Sequence, residues 1–201
     1  MGIWLMFKLM WVRGMPAWEI VGLPDVSIKE SKERVRTAIK NSGLEFPSRR
    51  IVVNLAPADS RKEGPFFDLP IAIGILTAME TISNSNIGVY AFIGELSLDG
   101  KINKVNGILP MCIEAKRLGI KKIIIPEENA KEASIVNGID ILPAKMLIDV
   151  IAHLNGVDIL EATESSNELF SKIKRYKFDF SDVRGQENIK RALEISAAGR
   201  T

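Results

Sequence analysis

Apolar positions along the chain recur with two different periods, and the switches between them mark the elements. Ile3 to Val12 is apolar except for Lys8. The run is too short to span a bilayer and has no small-residue cleavage site after it, so it reads as a buried strand or a misassigned start rather than a signal peptide. Trp18 to Leu23 reads as a short strand closed by Leu23-Pro24. Asp25 or Ser27 can cap the helix that follows, and Ser27 and Glu30 have the spacing of a capping box. Val35, Ala38 and Ile39 form one stripe of that helix, opposite Lys32, Arg36 and Lys40, and Asn41-Ser42-Gly43 ends it. Arg50 to Ala56 is β-branched and apolar, a strand; Pro57 to Pro65 is a polar loop. Asp68 is expected to cap an apolar helix from Leu69 to about Thr81, with Pro70 in its first turn. Ser83 to Asn86 is a turn. Tyr90 to Leu98 and Ile102 to Val105 read as two strands of one hairpin turning at Asp99-Gly100. Helix 109–118, strand 122–125, helix 127–136, strand 139–142 and helix 145–154 complete the pattern, with Gly119 and Asn155-Gly156 as helix stops.

Strands and helices alternate, so the class is α/β, of the two-layer kind. The character changes after Gly156. Glu161 to Glu168 is polar without an apolar period and reads as a linker. A second pattern begins at Phe178, and its helix, Glu187 to Ala198, has no neighbour in the sequence to cover its apolar face. The expected division is a domain over 1–157, a linker over 158–177 and the start of another module over 178–201.

Composition narrows the chemistry. Of 201 residues, 46% are hydrophobic and 26% charged, an ordinary globular balance. The net charge of +2 gives no global pull toward nucleic acid or anionic lipid. A single cysteine, Cys112, excludes an internal disulfide framework and a multi-cysteine zinc site, and points to a reducing, cytoplasmic setting. A single histidine, His153, excludes a metal centre built on several imidazoles, and no metal site is expected. Cys112 lies in the apolar run Ile108 to Ile113 and reads as a packing thiol. His153 reads as a helix-terminal histidine favoured by the carbonyl dipole.

Two basic groups stand out. Arg34, Arg36, Lys40, Arg49 and Arg50 are interleaved with Glu30, Glu33 and Glu45, and no aromatic platform alternates with them in the sequence. Read as a function this is a nucleic-acid face; read as structure it is a solvated surface of mixed charge. Lys116, Arg117, Lys121 and Lys122 flank a helix end, where cations are favoured in any case. Asp59, Arg61, Lys62, Glu63 and Asp68 crowd one loop, as a contact surface or as a solvated loop with Asp68 capping the next helix.

Four segments carry a family resemblance. They are Ile20-Val21-Gly22-Leu23-Pro24-Asp25 with Lys29-Glu30-Ser31; Val53-Asn54-Leu55-Ala56-Pro57-Ala58-Asp59 with Arg61-Lys62-Glu63-Gly64-Pro65; Phe67-Asp68-Leu69-Pro70-Ile71-Ala72; and Gly94-Glu95-Leu96-Ser97-Leu98-Asp99-Gly100. Through them the chain resembles the ComM/YifB family of magnesium-chelatase-like AAA+ ATPases over roughly residues 15 to 201. The resemblance implies an amino-terminal domain with the fold of the Lon protease catalytic domain, itself similar to the second domain of a ribosomal small-subunit protein. It implies further strand sequence before Gly14. Asp179 to Glu187 resembles the opening of the AAA+ module, the strip beside the adenine, which makes Val183, Gly185 and Gln186 its nucleotide-side residues. The phosphate loop is expected just past Gly199, so ATP and magnesium are expected only for the longer protein and no cofactor for this chain.

The same resemblance assigns positions to the Lon serine–lysine dyad. The serine follows Gly-Pro; here Gly64-Pro65 is followed by Phe66. The lysine follows a Gly-Gly-hydrophobic step; here Asn106-Gly107-Ile108 is followed by Leu109. A Lon-type dyad needs a desolvated, neutral lysine to take the serine proton, and neither Phe66 nor Leu109 can exchange a proton or form an acyl intermediate. Ser60, Ser97 and Lys104 are the nearby substitutes. The expected role is a non-catalytic assembly and interaction domain. Its partners are its own AAA+ module, neighbouring subunits of a hexamer, and DNA through Arg34, Arg36, Arg49, Arg50, Arg61 and Lys62, in branch migration during recombination and natural transformation, with no membrane partner. A stand-alone DNA-binding module, a residual Lon-like peptidase and a truncated gene product are the rival readings.

Overall fold

The computed structural model describes residues 6–12, 15–56, 62–83, 87–164, 183 and 185–199. The chain divides into two compact units, Met1–Ser166 and Asn167–Thr201. Asp59, Ser60 and Arg61 of the polar loop, positions 84–86 and residues 165–182, which include most of the expected linker and the Phe178 to Asp182 segment, lie outside the described residues.

The first unit runs β1 (Met6–Val12), β2 (Trp18–Val21), α1 (Val26–Asn41), β3 (Arg50–Ala56), α2 (Asp68–Ala78), β4 (Tyr90–Phe92), β5 (Glu95–Leu96), β6 (Ile102–Asn103), α3 (Ile108–Arg117), β7 (Lys122–Pro126), α4 (Ala130–Ala133), β8 (Asp140–Ala144) and α5 (Leu147–Leu154). One sheet has the order β1-β3-β2, a second β4-β7-β8, and β5 and β6 form a separate ribbon. The class is α/β. The apolar start reads correctly as a strand: β1 pairs antiparallel with the whole of β3, from Met6 opposite Ala56 to Val12 opposite Arg50. On the other side β2 lies parallel to β3, with α1 as the crossover.

Burial follows the periods. In β3, Ile51, Val53 and Leu55 are buried and their neighbours half-buried, the alternation of a strand with one covered face. In β7, Ile123, Ile124 and Ile125 are all buried, as in a parallel strand covered on both faces. In α2, Leu69, Ile71, Ala72, Ile73, Ile75 and Leu76 are buried, so this helix has no wet side to speak of and forms the middle of the main core with α1, β3 and α5. A second core, of Ile108, Cys112, Ala115, Ile123, Ile125, Ala133 and Ile141, lies under α3 and α4. Among the described residues no helix is long and apolar enough to cross a membrane.

Three local expectations are corrected. The cap of α1 is Asp25, whose Oδ1 accepts the Ile28 amide at 2.8 Å; Ser27 lies inside the first turn, so the Ser27–Glu30 capping box does not form. Helix α2 stops at Ala78, before Thr81, because Glu80 takes the left-handed conformation (φ 59) that a helix stop usually gives to glycine. The expected long strand over Tyr90 to Leu98 breaks in two. The Gly94 amide donates to the Phe66 carbonyl at 3.1 Å and the Gly94 carbonyl accepts the Leu69 amide at 3.0 Å. Both polar groups that would have continued the ladder are thus taken by the start of α2, so β4 stays in the parallel sheet and β5 turns away to pair with β6.

Between β2 and α1 the backbone passes close to β3. Gly22 has φ 102, and a Cβ there would stand 2.1 Å from the Leu55 carbonyl oxygen. Gly22→Ala is therefore expected to lower unfolding stability by about 3 kcal/mol or more, adding a backbone clash to a disfavoured φ. Urea unfolding followed by circular dichroism measures this; a loss within error of zero would refute the close approach.

Candidate functional site

The corner that carries the family-like motifs is built around two carboxylates. Asp25, besides capping α1, accepts the Gly64 amide on Oδ2 at 3.1 Å. The Asp25 amide donates to the Lys62 carbonyl at 3.0 Å, and the Lys62 amide to the Leu23 carbonyl at 3.2 Å. These bonds tie the returning end of the polar loop to the β2–α1 corner and hold Leu23 at φ 57. Pro65 to Phe67 then makes a single 3-10 turn that runs directly into α2.

Asp68 is the second carboxylate, and its role differs from the cap expected of it. It is the first residue of α2, wholly buried, and caps nothing. Its oxygens receive Arg34 Nε at 2.6 Å, Arg34 Nη2 at 3.1 Å and the Leu96 amide at 3.1 Å. Arg34 reaches in from α1, and its Nη2 also donates to the Ser27 carbonyl and to Ser31 Oγ. The hydrogen bond to Asp68 holds the guanidinium above its ordinary pKa despite its burial. One buried pair therefore joins α1, α2 and the β5–β6 ribbon.

Phe66 is half-buried, meets Phe67 with ring centres 4.3 Å apart and planes tilted by 44°, and packs against both cores. Leu109, in the first turn of α3, packs against the second core. The start of α3 is held by Asn129, a residue that sequence reasoning missed. Its wholly buried side chain accepts the Val105 amide and donates to the Val105 carbonyl, both at 2.9 Å, and so replaces a strand neighbour. Only the pattern of a polar residue just after a buried strand and a proline marked it. Of the substitute nucleophiles, Ser97 Oγ donates to Asn103 Oδ1 at 3.0 Å, Ser60 lies outside the described residues, and Lys104 is exposed rather than desolvated.

The basic face is smaller than the sequence suggested. Arg34 is held by Asp68 and half-buried, and Lys62 is only 2% exposed, so the surface face they were expected to form is reduced; the crowded loop is not a fully solvated one. Arg36 and Arg49 are exposed, Arg50 pairs with Glu19 at 3.0 Å, and Arg61 is not described. One of these cations does meet an aromatic ring in the fold. Phe46 lies 5.5 Å beneath the Arg36 guanidinium and 5.2 Å from the Trp18 ring, brought there by the turn from α1 to β3. In the second unit, Val183 is exposed, and Gly185 and Gln186 turn the chain with φ 68 and 62 into α6 (Glu187–Gly199).

Cys112 is buried in the second core, and burial, with the charge of Glu132 added, pushes its thiol up to about 12. His153 sits at the end of α5 as expected, but not as a cation on the helix carbonyls. Its Nδ1 accepts the Leu160 amide at 3.0 Å, and burial, then the charge of Lys122, lowers its proton affinity.

The comparisons with known proteins agree with this corner. Residues 8–129 match the family model described as subunit ChlI of Mg-chelatase. The chain is 42% identical over 189 residues to competence protein ComM of Haemophilus influenzae, covering 93% of this chain and 37% of that protein. It is 42% identical over 187 residues to YifB of Escherichia coli, covering 93% of this chain and 36% of that protein. The chain belongs to the magnesium-chelatase-like family of ComM and YifB. It is also similar, at 33% identity over 135 residues, to a Lon protease of Rhizobium meliloti, over 63% of this chain and 16% of that protein. The chain thus spans little more than a third of the length of the ComM and YifB relatives it matches. As a family member it carries an AAA+ affiliation together with a Lon-like region.

Two outcomes follow from the corner and the second core. Asp68→Ala is expected to cost about 3–5 kcal/mol, because it strands the Arg34 charge; Arg34→Met with Asp68→Leu should recover most of that loss. A double-mutant cycle by urea unfolding reads the coupling, and additive losses would refute it. Cys112 in the folded chain should react with a disulfide thiol reagent at least about a thousandfold more slowly than in the unfolded chain, since the buried thiol supplies almost no thiolate. A rate close to the unfolded one would show the thiol to be accessible.

Proposed function

We propose that this chain is a non-catalytic scaffold and interaction region of a magnesium-chelatase-like AAA+ ATPase. In this reading the longer protein assembles as a cytoplasmic hexameric ring, binds ATP and magnesium outside the residues described, and moves branched DNA in recombination and natural transformation. One observation supports it above the others. Phe66 and Leu109, at the positions the resemblance assigns to a serine and a lysine, both pack on the same apolar core. A Lon-like fold that fills its proton-transfer positions with hydrocarbon keeps the shape of the domain and cannot run the acyl chemistry. The printed name of the Haemophilus relative, a competence protein, supports the DNA side of the reading.

On this reading the chain itself meets DNA weakly, through Arg36, Arg49 and Arg50, since Lys62 is buried and the half-buried Arg34 is held by Asp68. A forked-DNA gel shift over a salt series is expected to give a log–log slope no steeper than about −3, the release from three phosphate contacts. A serine-directed fluorophosphonate is expected to leave the chain unlabelled. Stoichiometric labelling would replace the scaffold reading with a peptidase, and a much steeper salt slope would replace it with a dedicated DNA-binding module.

A further inference from the structure

The chain leaves the first unit through a segment that hangs on His153. Helix α5 closes with the Val157 amide donating to the Ala152 carbonyl at 2.9 Å. Beyond it, Val157 and Ile159 are exposed, while Leu160 turns inward and packs against the main core. The Leu160 amide donates to His153 Nδ1 at 3.0 Å, and the Thr163 amide then donates to the Ile141 carbonyl at 2.8 Å, on β8. The second unit begins shortly afterwards, at Asn167.

The chemistry of the ring makes this contact a switch. A neutral imidazole has one nitrogen with a free lone pair and one that carries a proton. Because Nδ1 accepts the Leu160 amide, the proton of the neutral ring is on Nε2, which is buried and has no partner. An added proton can therefore go only to Nδ1, onto the very lone pair that holds Leu160. Protonation and the hold on the segment exclude one another. We propose that His153 is a proton-operated clasp: the neutral ring holds residues 157–163 against the end of α5 and the main core, and the imidazolium releases them.

The surroundings favour release over accommodation. Lys122 of β7 faces the ring and adds a like charge. Tyr90 of β4 stands edge-on to it, ring centres 5.6 Å apart at 85°, with the Lys122 ammonium 5.6 Å from the tyrosine ring. Asp158 and Glu161 on the segment are exposed. The direction in pH follows. The folded group binds its proton less readily than the ordinary value of 6.5, so the clasp contributes in full above 6.5 and is lost as pH falls below it through the lowered value.

The test is amide hydrogen exchange of the full chain, normalised for intrinsic rates, alongside nitrogen shifts of the His153 ring. Protection at residues 158–162 is expected to fall at least tenfold relative to α2 and β7 between about pH 7.5 and about pH 5, with the midpoint of the ring titration. His153→Asn, whose carboxamide oxygen stands where Nδ1 does, should keep the segment protected at both pH values. His153→Phe, which keeps a ring against Tyr90 but accepts nothing, should leave it open at both. Protection that stays level while the wild-type ring titrates overturns the clasp, whatever the variants do; so does a protected segment in a folded His153→Phe chain.

Discussion

Asp68 is wholly buried and is met by the half-buried Arg34, and the arrangement of the first unit follows from satisfying that carboxylate. A buried carboxylate that loses its partner costs several kcal/mol, whereas the intact pair adds little over a hydrophobic replacement. Its weight lies in what it fixes. The guanidinium comes from α1, the carboxylate from the first residue of α2, and the remaining acceptor capacity is filled by the Leu96 amide of the ribbon. Any shift of one of the three elements leaves a charge or an amide unpaired. Apolar packing alone would let α1 slide against α2 at small cost; this pair selects one register.

The same corner shows how acidic residues can serve the backbone. Asp25 joins the start of α1 to Gly64, and Asp68 joins α1 to α2 and to β5. Neither is exposed to a reactant. A motif dense in aspartate, glycine and proline is thus explained by the geometry of a tight corner.

Much of this was legible in the sequence. The β3 bounds, the α1 stripe of Val35, Ala38 and Ile39, and the stop at Gly43 all follow from local rules, because each is decided by period or by a single backbone preference. What failed was decided at long range. Asp68 looked like a cap because its partner lies thirty-four positions away. The break at Gly94 depended on a hydrogen bond to the Phe66 carbonyl and one from the Leu69 amide, which no strand rule anticipates. The basic face lost Arg34 and Lys62 for the same reason: a charge run reads as solvated until the fold supplies a buried counter-charge or covers the side chain. Phe46 reached Arg36 only through the turn into β3.

Phe66 has an evolutionary consequence. It stands where the resemblance places a nucleophile, and it touches both cores at once. Putting a serine back would remove the hydrocarbon that joins them and leave a hydroxyl facing a gap, with Leu109 offering no base. Each single step back toward hydrolysis thus lowers stability before it can restore any activity. On the proposed scaffold reading the ring is a structural joint between the two cores, and drift from that state elaborates the domain as a scaffold more easily than it makes an enzyme of it.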